Sequence, residues 1–286
     1  MIAEEEGELP ALQHVPATRF GPAGAAPLED AVVEEVPVAL VYNGISHAVM
    51  LATPTDLEDF ALGFSLSEGL IASPAELLEV EVVVSPAGVE LQLRVTAERF
   101  QGFKATRRQL AGRTGCGLCG RESLDQAILP VPSVPEGLVV DAAALTRAIA
   151  ALPAAQGLHR QSGGVHAAAW ANPDGAIRLV REDVGRHNAL DKLLGALRRQ
   201  RVAPADGFVL ITSRASHELV HKAASAGVQL LAAVSAPTAM AVRNAQAAGL
   251  TLVGWLREQG FSVYAGAGRI AGPEKEKPEW PGGRSG

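Results

Sequence analysis

Residues 207–255 read GFVLITSRASHELVHKAASAGVQLLAAVSAPTAMAVRNAQAAGLTLVGW. Three short apolar runs, 207–212, 228–234 and 250–255, alternate with two amphipathic stretches, 216–226 and 238–248. Apolar runs of that length fit buried strands, and the longer stretches, with apolar residues three and four apart, fit helices. Strands separated by helices imply a mostly parallel sheet with helices packed on it, an α/β fold. The pattern extends outward: strands over 164–170 and 176–181 flank a Pro173-Asp174-Gly175 turn, a helix covers 186–200, and a last strand covers 261–265. Upstream, Asp141 caps an alanine-rich helix running to Leu152, and the proline-rich LPVPSVPEG (129–137) reads as a linker.

The first half is a smaller α+β unit. PVALVY and ISHAVMLA flank Asn43-Gly44, the dipeptide that best tolerates a tight hairpin turn, and EVEVVV and VELQLRV turn at Ser85-Pro86-Ala87-Gly88. Between them, Thr55 with Glu58 forms a capping box for a helix carrying Leu57, Phe60, Ala61 and Phe64 on one side. The expected organisation is a disordered tail (1–30), an N-terminal α+β domain ending in the cysteine loop (31–135), an α/β domain (136–270) and a second disordered tail (271–286).

The chain has 286 residues, 48% of them hydrophobic, and a net charge of −6. Its glutamate-rich start lacks the basic-then-apolar order of a secretory signal. The longest uncharged stretch, between Lys222 and Arg243, is broken by Ser225, Gly227, Gln229, Ser235, Pro237 and Thr238, so no membrane partner is expected, nor a nucleic acid. With Cys116 and Cys119 as the only cysteines, a reducing cytoplasm suits the chain better than a disulfide-forming compartment. Divided along the chain, the charge is more telling: residues 1–98 carry two basic and 17 acidic side chains, 99–121 carry six basic and none acidic, and 122–286 carry 17 and 14.

Both cysteines lie in that basic segment, within Gly115-Cys116-Gly117-Leu118-Cys119-Gly120. Glycines let either sulfur approach a partner, and Arg113, Arg121, Lys104, Arg107 and Arg108 favour thiolate over thiol. That suits attack on sulfur, or carriage of sulfur as a persulfide. A structural zinc site needs two further ligands, and a thioredoxin-like pair needs a preceding strand and a following helix. A nucleobase deaminase would need an upstream His-x-Glu and a proline before the first cysteine, and has neither.

His217-Glu218-Leu219-Val220-His221 matches the zinc-metalloprotease pattern, but no histidine follows it and Glu258 is the only acid between it and the tail. Chance on an amphipathic helix accounts for it more simply. Arg181-Glu182-Asp183-Val184-Gly185-Arg186-His187-Asn188-Ala189-Leu190-Asp191-Lys192 runs from a strand through a glycine turn into a helix. It reads either as an anion-binding turn, with His187 and Asp191 paired, or as a capping salt-bridge cluster. Ser235-Ala236-Pro237-Thr238 is a similar turn. Trp255 can stack on a base or pterin and Arg257 can fork onto phosphate.

These segments, in this order, resemble the FdhD-type formate dehydrogenase accessory sulfurtransferase family: TGCGLCG (114–120), SGGVHAAAW (162–170), REDVGRHNALDK (181–192), SRASHELVHKAASAG (213–227), VSAPTAMAV (234–242) and LVGWLREQGFSVY (252–264). The resemblance implies a cytidine-deaminase-like three-layer α/β/α second domain without the zinc site. It implies a cytoplasmic protein that accepts persulfide sulfur from a cysteine desulfurase and passes it to the molybdenum cofactor, Mo-bis(molybdopterin guanine dinucleotide), for formate dehydrogenase. By position, Cys116 bears the persulfide and Cys119 assists. Trp255, Leu256, Arg257, Glu258, Gln259 and Gly260 match the segment that touches the cofactor. The bound cofactor is substrate, no metal site or zinc is expected, and a homodimer is. Ser213 stands where the family usually has glycine, Trp255 where it has phenylalanine, and Ala239-Met240 where Ser-Leu is common. The rival readings are a zinc metalloprotease on His217 and His221, and a cofactor-binding chaperone with dispensable cysteines.

Overall fold

A ladder of backbone hydrogen bonds organises the chain from Leu12 onward. In the computed structural model, which describes residues 9–102 and 130–272, β1 (Leu12–Gly21) and β2 (Gly24–Val33) pair antiparallel as a two-stranded ribbon. The sequence places these residues in a disordered tail, and over 12–30 that expectation is wrong. Pro22 and Ala23 between two glycines make the turn, and pairing rather than burial holds the strands, since none of residues 12–33 is buried. A ribbon without a buried face leaves no hydropathy period to read.

The first domain is built on a four-stranded sheet, order β4-β3-β6-β5. β3 (Val36–Tyr42) and β4 (Ile45–Ala52) form the expected hairpin, with positive φ at both Asn43 (46°) and Gly44 (81°). α1 (Leu57–Ser67) follows, then β5 (Leu77–Ser85) and β6 (Gly88–Val95). β6 lies parallel to β3, which the α1 crossover permits. Val38, Leu40, Tyr42, Leu91 and Leu93 meet Phe60 and Phe64 on the helix-covered face.

The expected Thr55–Glu58 capping box does not form. Asp56 occupies the N-cap in a left-handed conformation (φ 52°), without a side-chain cap bond. Arginines of the second domain take the acids of this turn: Arg181 reaches Asp56 (3.3 Å) and Asp59 (2.7 Å), and Arg199 reaches Asp59 (2.9 Å) and Glu58.

In the second domain, β7 (Val140–Asp141) leads into α2 (Ala142–Ala155), which Asp141 caps by accepting from Ala143 N–H at 2.7 Å. Then come α3 (Gly157–Ser162), β8 (His166–Ala171), β9 (Ile177–Asp183), α4 (Arg186–Arg199), β10 (Phe208–Ile211), α5 (His217–Ser225), β11 (Leu230–Ala233), α6 (Ala239–Ala248), β12 (Thr251–Arg257), β13 (Gly260–Ala265) and β14 (Ile270–Ala271). The six-stranded sheet has order β13-β12-β11-β10-β8-β9. It is mixed rather than mostly parallel. Only the β10-α5-β11-α6-β12 crossovers give parallel pairs, and the short β8–β9 and β12–β13 connections force antiparallel ones.

Side-chain alternation along the strands gives three layers. Trp170, Val209, Ile211, Leu231 and Ala233 face Leu190, Leu193, Leu219 and Ala245 of α4, α5 and α6. Their neighbours Ala169, Phe208, Leu210, Leu230 and Ala232 face Leu145, Ala148 and Leu152 of α2. The described part of the proline-rich stretch is strapped to the first layer: Val134 is buried there and its N–H donates to Ala248 O at 2.9 Å. The cysteine loop lies outside the described residues, as does the second tail beyond 272.

The two domains meet backbone to backbone where α1 crosses α4. A Cβ on Gly63 would lie 1.7 Å from Asp191 O, and one on Gly195 would lie 1.9 Å from Asp59 O. Only glycine permits helices this close.

Candidate functional site

β9 runs in the same direction as β10, β11 and β12, so all four strands end at one edge of the sheet, where α4, α5 and α6 begin. Ser216 caps α5 by accepting from Leu219 N–H (3.5 Å), and Thr238 caps α6 by accepting from Ala241 N–H (3.2 Å). The turns are stitched into a row. Thr238 N–H donates to Ala215 O (3.0 Å), Ala215 N–H to Ala236 O (3.3 Å), Ser235 N–H to Ser213 O (3.4 Å) and Trp255 N–H to Ser235 O (3.2 Å). Ser213 keeps its hydroxyl on Arg214 O (3.0 Å). Helix N-termini at the carboxyl ends of strands attract anions through free N–H groups and the helix dipole. Arg186 opens α4 and Arg214 lies in the turn before α5. His166 lies opposite Asp183 on the same edge; burial, then the charge of Arg186, holds its pKa below the usual histidine value.

Trp255 ends this row with its side chain half exposed and a left-handed backbone (φ 55°), at an irregularity in the β12–β13 pairing. Gly254 before it admits no side chain, since a Cβ would meet Pro237 at 2.8 Å and Tyr264 at 2.9 Å. Of the six residues singled out here, Trp255 presents a ring at the edge. Leu256 is fully buried against the α2 layer, so only its main chain can face a ligand. Arg257 Nη1 donates to Val234 O and to Leu256 O (2.8 Å), which ties it to the end of β11. Glu258 and Gln259 are exposed at the turn, and Gly260 (φ 147°) closes it.

The 181–192 stretch serves mainly the domain seam. Asp183 accepts from Lys192 Nζ (2.7 Å), Thr53 N–H (3.1 Å), Asn188 Nδ2 (3.0 Å) and Gly185 N–H (2.8 Å). Lys192 and Asn188 also donate to Thr53 O (2.9 Å) and Leu51 O (2.8 Å) of the first domain. Burial lowers the Lys192 pKa against the pull of Asp183. Glu182 accepts from the N–H groups of Leu158 (2.8 Å) and His159 (2.9 Å) at the start of α3. The salt-bridge reading therefore holds for most of the stretch, and Arg186 and His187 remain at the edge.

The expected His187–Asp191 pair is absent. Asp191 accepts from Lys222 Nζ (2.9 Å) and Ser67 Oγ (2.7 Å), and Lys222 also reaches Glu68 (2.7 Å) and Ser67 Oγ (2.9 Å). Burial raises the Asp191 pKa. Burial alone would lower Lys222, but the carboxylates of Asp191 and Glu68 hold its ammonium above the ordinary value. Sequence reasoning missed Thr53, Asp59, Ser67, Glu68 and Lys222. Lys222 alone left a signal, a cation in the apolar stripe of α5.

His187 Nε2 instead lies 2.8 Å from Glu218 Oε2 without hydrogen-bond alignment, and burial lowers its pKa. Glu218, the base of the protease pattern, is thus drawn to the neighbouring helix. Among the described residues no three His, Cys, Asp or Glu are grouped to hold a metal. Cys116 and Cys119 lie outside the described residues. No helix among those residues is long and apolar enough to cross a membrane.

Residues 33–271 match the model of the FdhD/NarQ family. The sulfur carrier protein FdhD of Bordetella petrii is 50% identical over 252 residues, 88% of this chain and 91% of that protein. Its namesake in Cupriavidus necator is 54% identical over 242 residues, 84% of each chain. In fold, the chain resembles a crystal structure from Desulfotalea psychrophila, described as a formate dehydrogenase accessory protein, with TM-score 0.71, 24% identity, and coverage of 92% of this chain and all of that one.

Proposed function

Because the chain belongs to the FdhD/NarQ family, we propose that it is a cytoplasmic sulfurtransferase that receives persulfide sulfur from a cysteine desulfurase and delivers it to Mo-bis(molybdopterin guanine dinucleotide) for formate dehydrogenase. The observation that carries this reading is the identity of half or more, across most of the chain, to proteins named sulfur carriers. Cys116, in its basic segment, is the acceptor. Its thiolate attacks the outer sulfur of the donor persulfide, a new S–S bond forms, and the donor cysteine leaves as thiolate. Attack by the Cys119 thiolate on the Cys116 sulfur then expels hydrosulfide toward the cofactor. The two cysteines supply the two electrons and end as a disulfide.

The cofactor is the substrate, and the row of helix N-termini is the place in the fold suited to its phosphates. Trp255 offers a face for a guanine or pterin, and Arg186 and Arg214 supply counter-charge. The homodimer belongs to this reading as well.

Intact-protein mass spectrometry after incubation with desulfurase and cysteine tests the assignment. Wild type gains the mass of one sulfur and Cys116→Ala does not; equal gain by both proteins removes Cys116 from the acceptor role. If the double cysteine variant still supports formate dehydrogenase activity in cells, the protein acts as a chaperone rather than a carrier.

A further inference from the structure

The edge where α4, α5 and α6 begin collects positive charge, and one acid works against it. Arg186 and Arg214 stand there, and neither forms an ion pair among the described residues. The helix N-termini add their dipoles. Asp183 is also at this edge, but Lys192 neutralises it in a fully buried pair. Glu218, in the first turn of α5, is different: its carboxylate is about half exposed and repels any anion that approaches the row. Its ion contact among the described residues is His187 Nε2, at 2.8 Å across from the second residue of α4.

That contact is incomplete. Nε2 is shielded from solvent and makes no hydrogen bond, because the carboxylate is close but out of line. A buried polar atom without a bond is uncommon in folded proteins. A neutral ring with Nε2 bare sets a lone pair against the carboxylate, whereas the imidazolium turns a charged N–H toward it. Burial favours the neutral ring, Glu218 opposes it, Arg186 and Lys222 reinforce it and Glu68 opposes it again; the sum holds the pKa below the ordinary histidine value. The pair is therefore poised to change charge when the field around it changes.

We propose that His187 and Glu218 couple anion binding to proton uptake: an anionic ligand entering the row draws one proton from solvent onto His187, and that proton offsets the charge of Glu218. The inference rests on the reading of the row as the cofactor's phosphate site, and assigns it a regulation. The complex then holds more protons than the free protein, so affinity falls as pH rises, by at most about tenfold per pH unit for one proton. The dependence levels off once the free protein is already protonated.

GDP-mannose serves as the probe for the full chain, because it presents a guanine and a diester pyrophosphate, without the phosphate monoester that titrates near neutral pH. Calorimetry at about pH 7 in buffers of different ionisation enthalpy should register uptake of about half a proton or more, with affinity at about pH 6 roughly threefold or more above that at about pH 8. Glu218→Gln, an exposed change, should tighten binding at about pH 8 by roughly threefold or more and flatten the pH dependence. A contact that merely ties α4 to α5 predicts weaker binding instead. His187→Gln should end the proton uptake, and His166→Gln, which removes another half-buried histidine of this edge, should retain it. Uptake that survives His187→Gln, or a wild-type affinity that does not change with pH, overturns the coupling and leaves the phosphate site standing. Absence of GDP-mannose binding by wild type at either pH overturns the phosphate site, and the coupling falls with it.

Discussion

Lys222 shows how one side chain holds two domains in register. Its ammonium lies between Asp191 of its own domain and Glu68 and Ser67 of the other, over the Phe64 ring at 5.3 Å. Removing the cation leaves Asp191 buried and uncompensated, which typically costs about 3–5 kcal/mol. Lys222→Ala is therefore expected to lower the urea midpoint sharply, and a Lys222→Met, Asp191→Leu double variant to recover much of the loss. An unchanged midpoint for Lys222→Ala would deny the cluster its fastening role. None of these partners was legible in the sequence beforehand. Ser67 and Lys222 are 155 positions apart, and Thr53 and Lys192 are 139 apart, so no local period links them. Arg181 through Lys192 stood out as a charged run at a strand-helix turn, but its sequence alone does not say whether the charges face a ligand or another domain.

At the scale of elements, legibility follows burial. The strands and helices from 164 to 265 matched expectation within a residue or two because alternate strand residues enter opposite core layers and imprint a strong period. β1 and β2 imprint none, and α1 lost its expected cap to arginines from elsewhere. The α1–α4 crossing was equally hidden, because Gly63 and Gly195 look like weak points within helical patterns. In the fold they are the contact itself. Gly63→Ala and Gly195→Ala each force the helices apart against main-chain atoms, and each is expected to destabilise by about 3 kcal/mol by chemical denaturation. Gly69→Ala, where nothing lies within 4 Å but φ is positive (70°), controls for backbone strain without overlap. If the crossing variants cost no more than that control, the close approach does not determine how the domains dock.

For the whole molecule, the titrating histidines set how the fold responds to acid. Burial lowers the pKa of His166, His187 and His221 from the ordinary 6.5. All three lie on or beside the elements that join the domains. The unfolded chain therefore binds more protons than the folded one as pH falls through about 6.5, so stability present above that value is lost on acidification until the folded histidines also protonate. Glu68 acts in the same direction but lower. Burial raises its pKa, yet the charge and hydrogen bond of Lys222 bring it below the ordinary 4.5, so its contribution is lost only under more acidic conditions. The decline should begin between about pH 7 and pH 6, ahead of the loss at Glu68, and Asp191, whose pKa burial raises, opposes it because there the folded chain is the one that takes up the extra proton. Thermal midpoints across that interval should fall for wild type and fall less for His187→Gln, which removes one of the three protons taken up. Flat midpoints down to about pH 5 would mean that these histidines are as accessible to protons in the folded protein as in the unfolded chain.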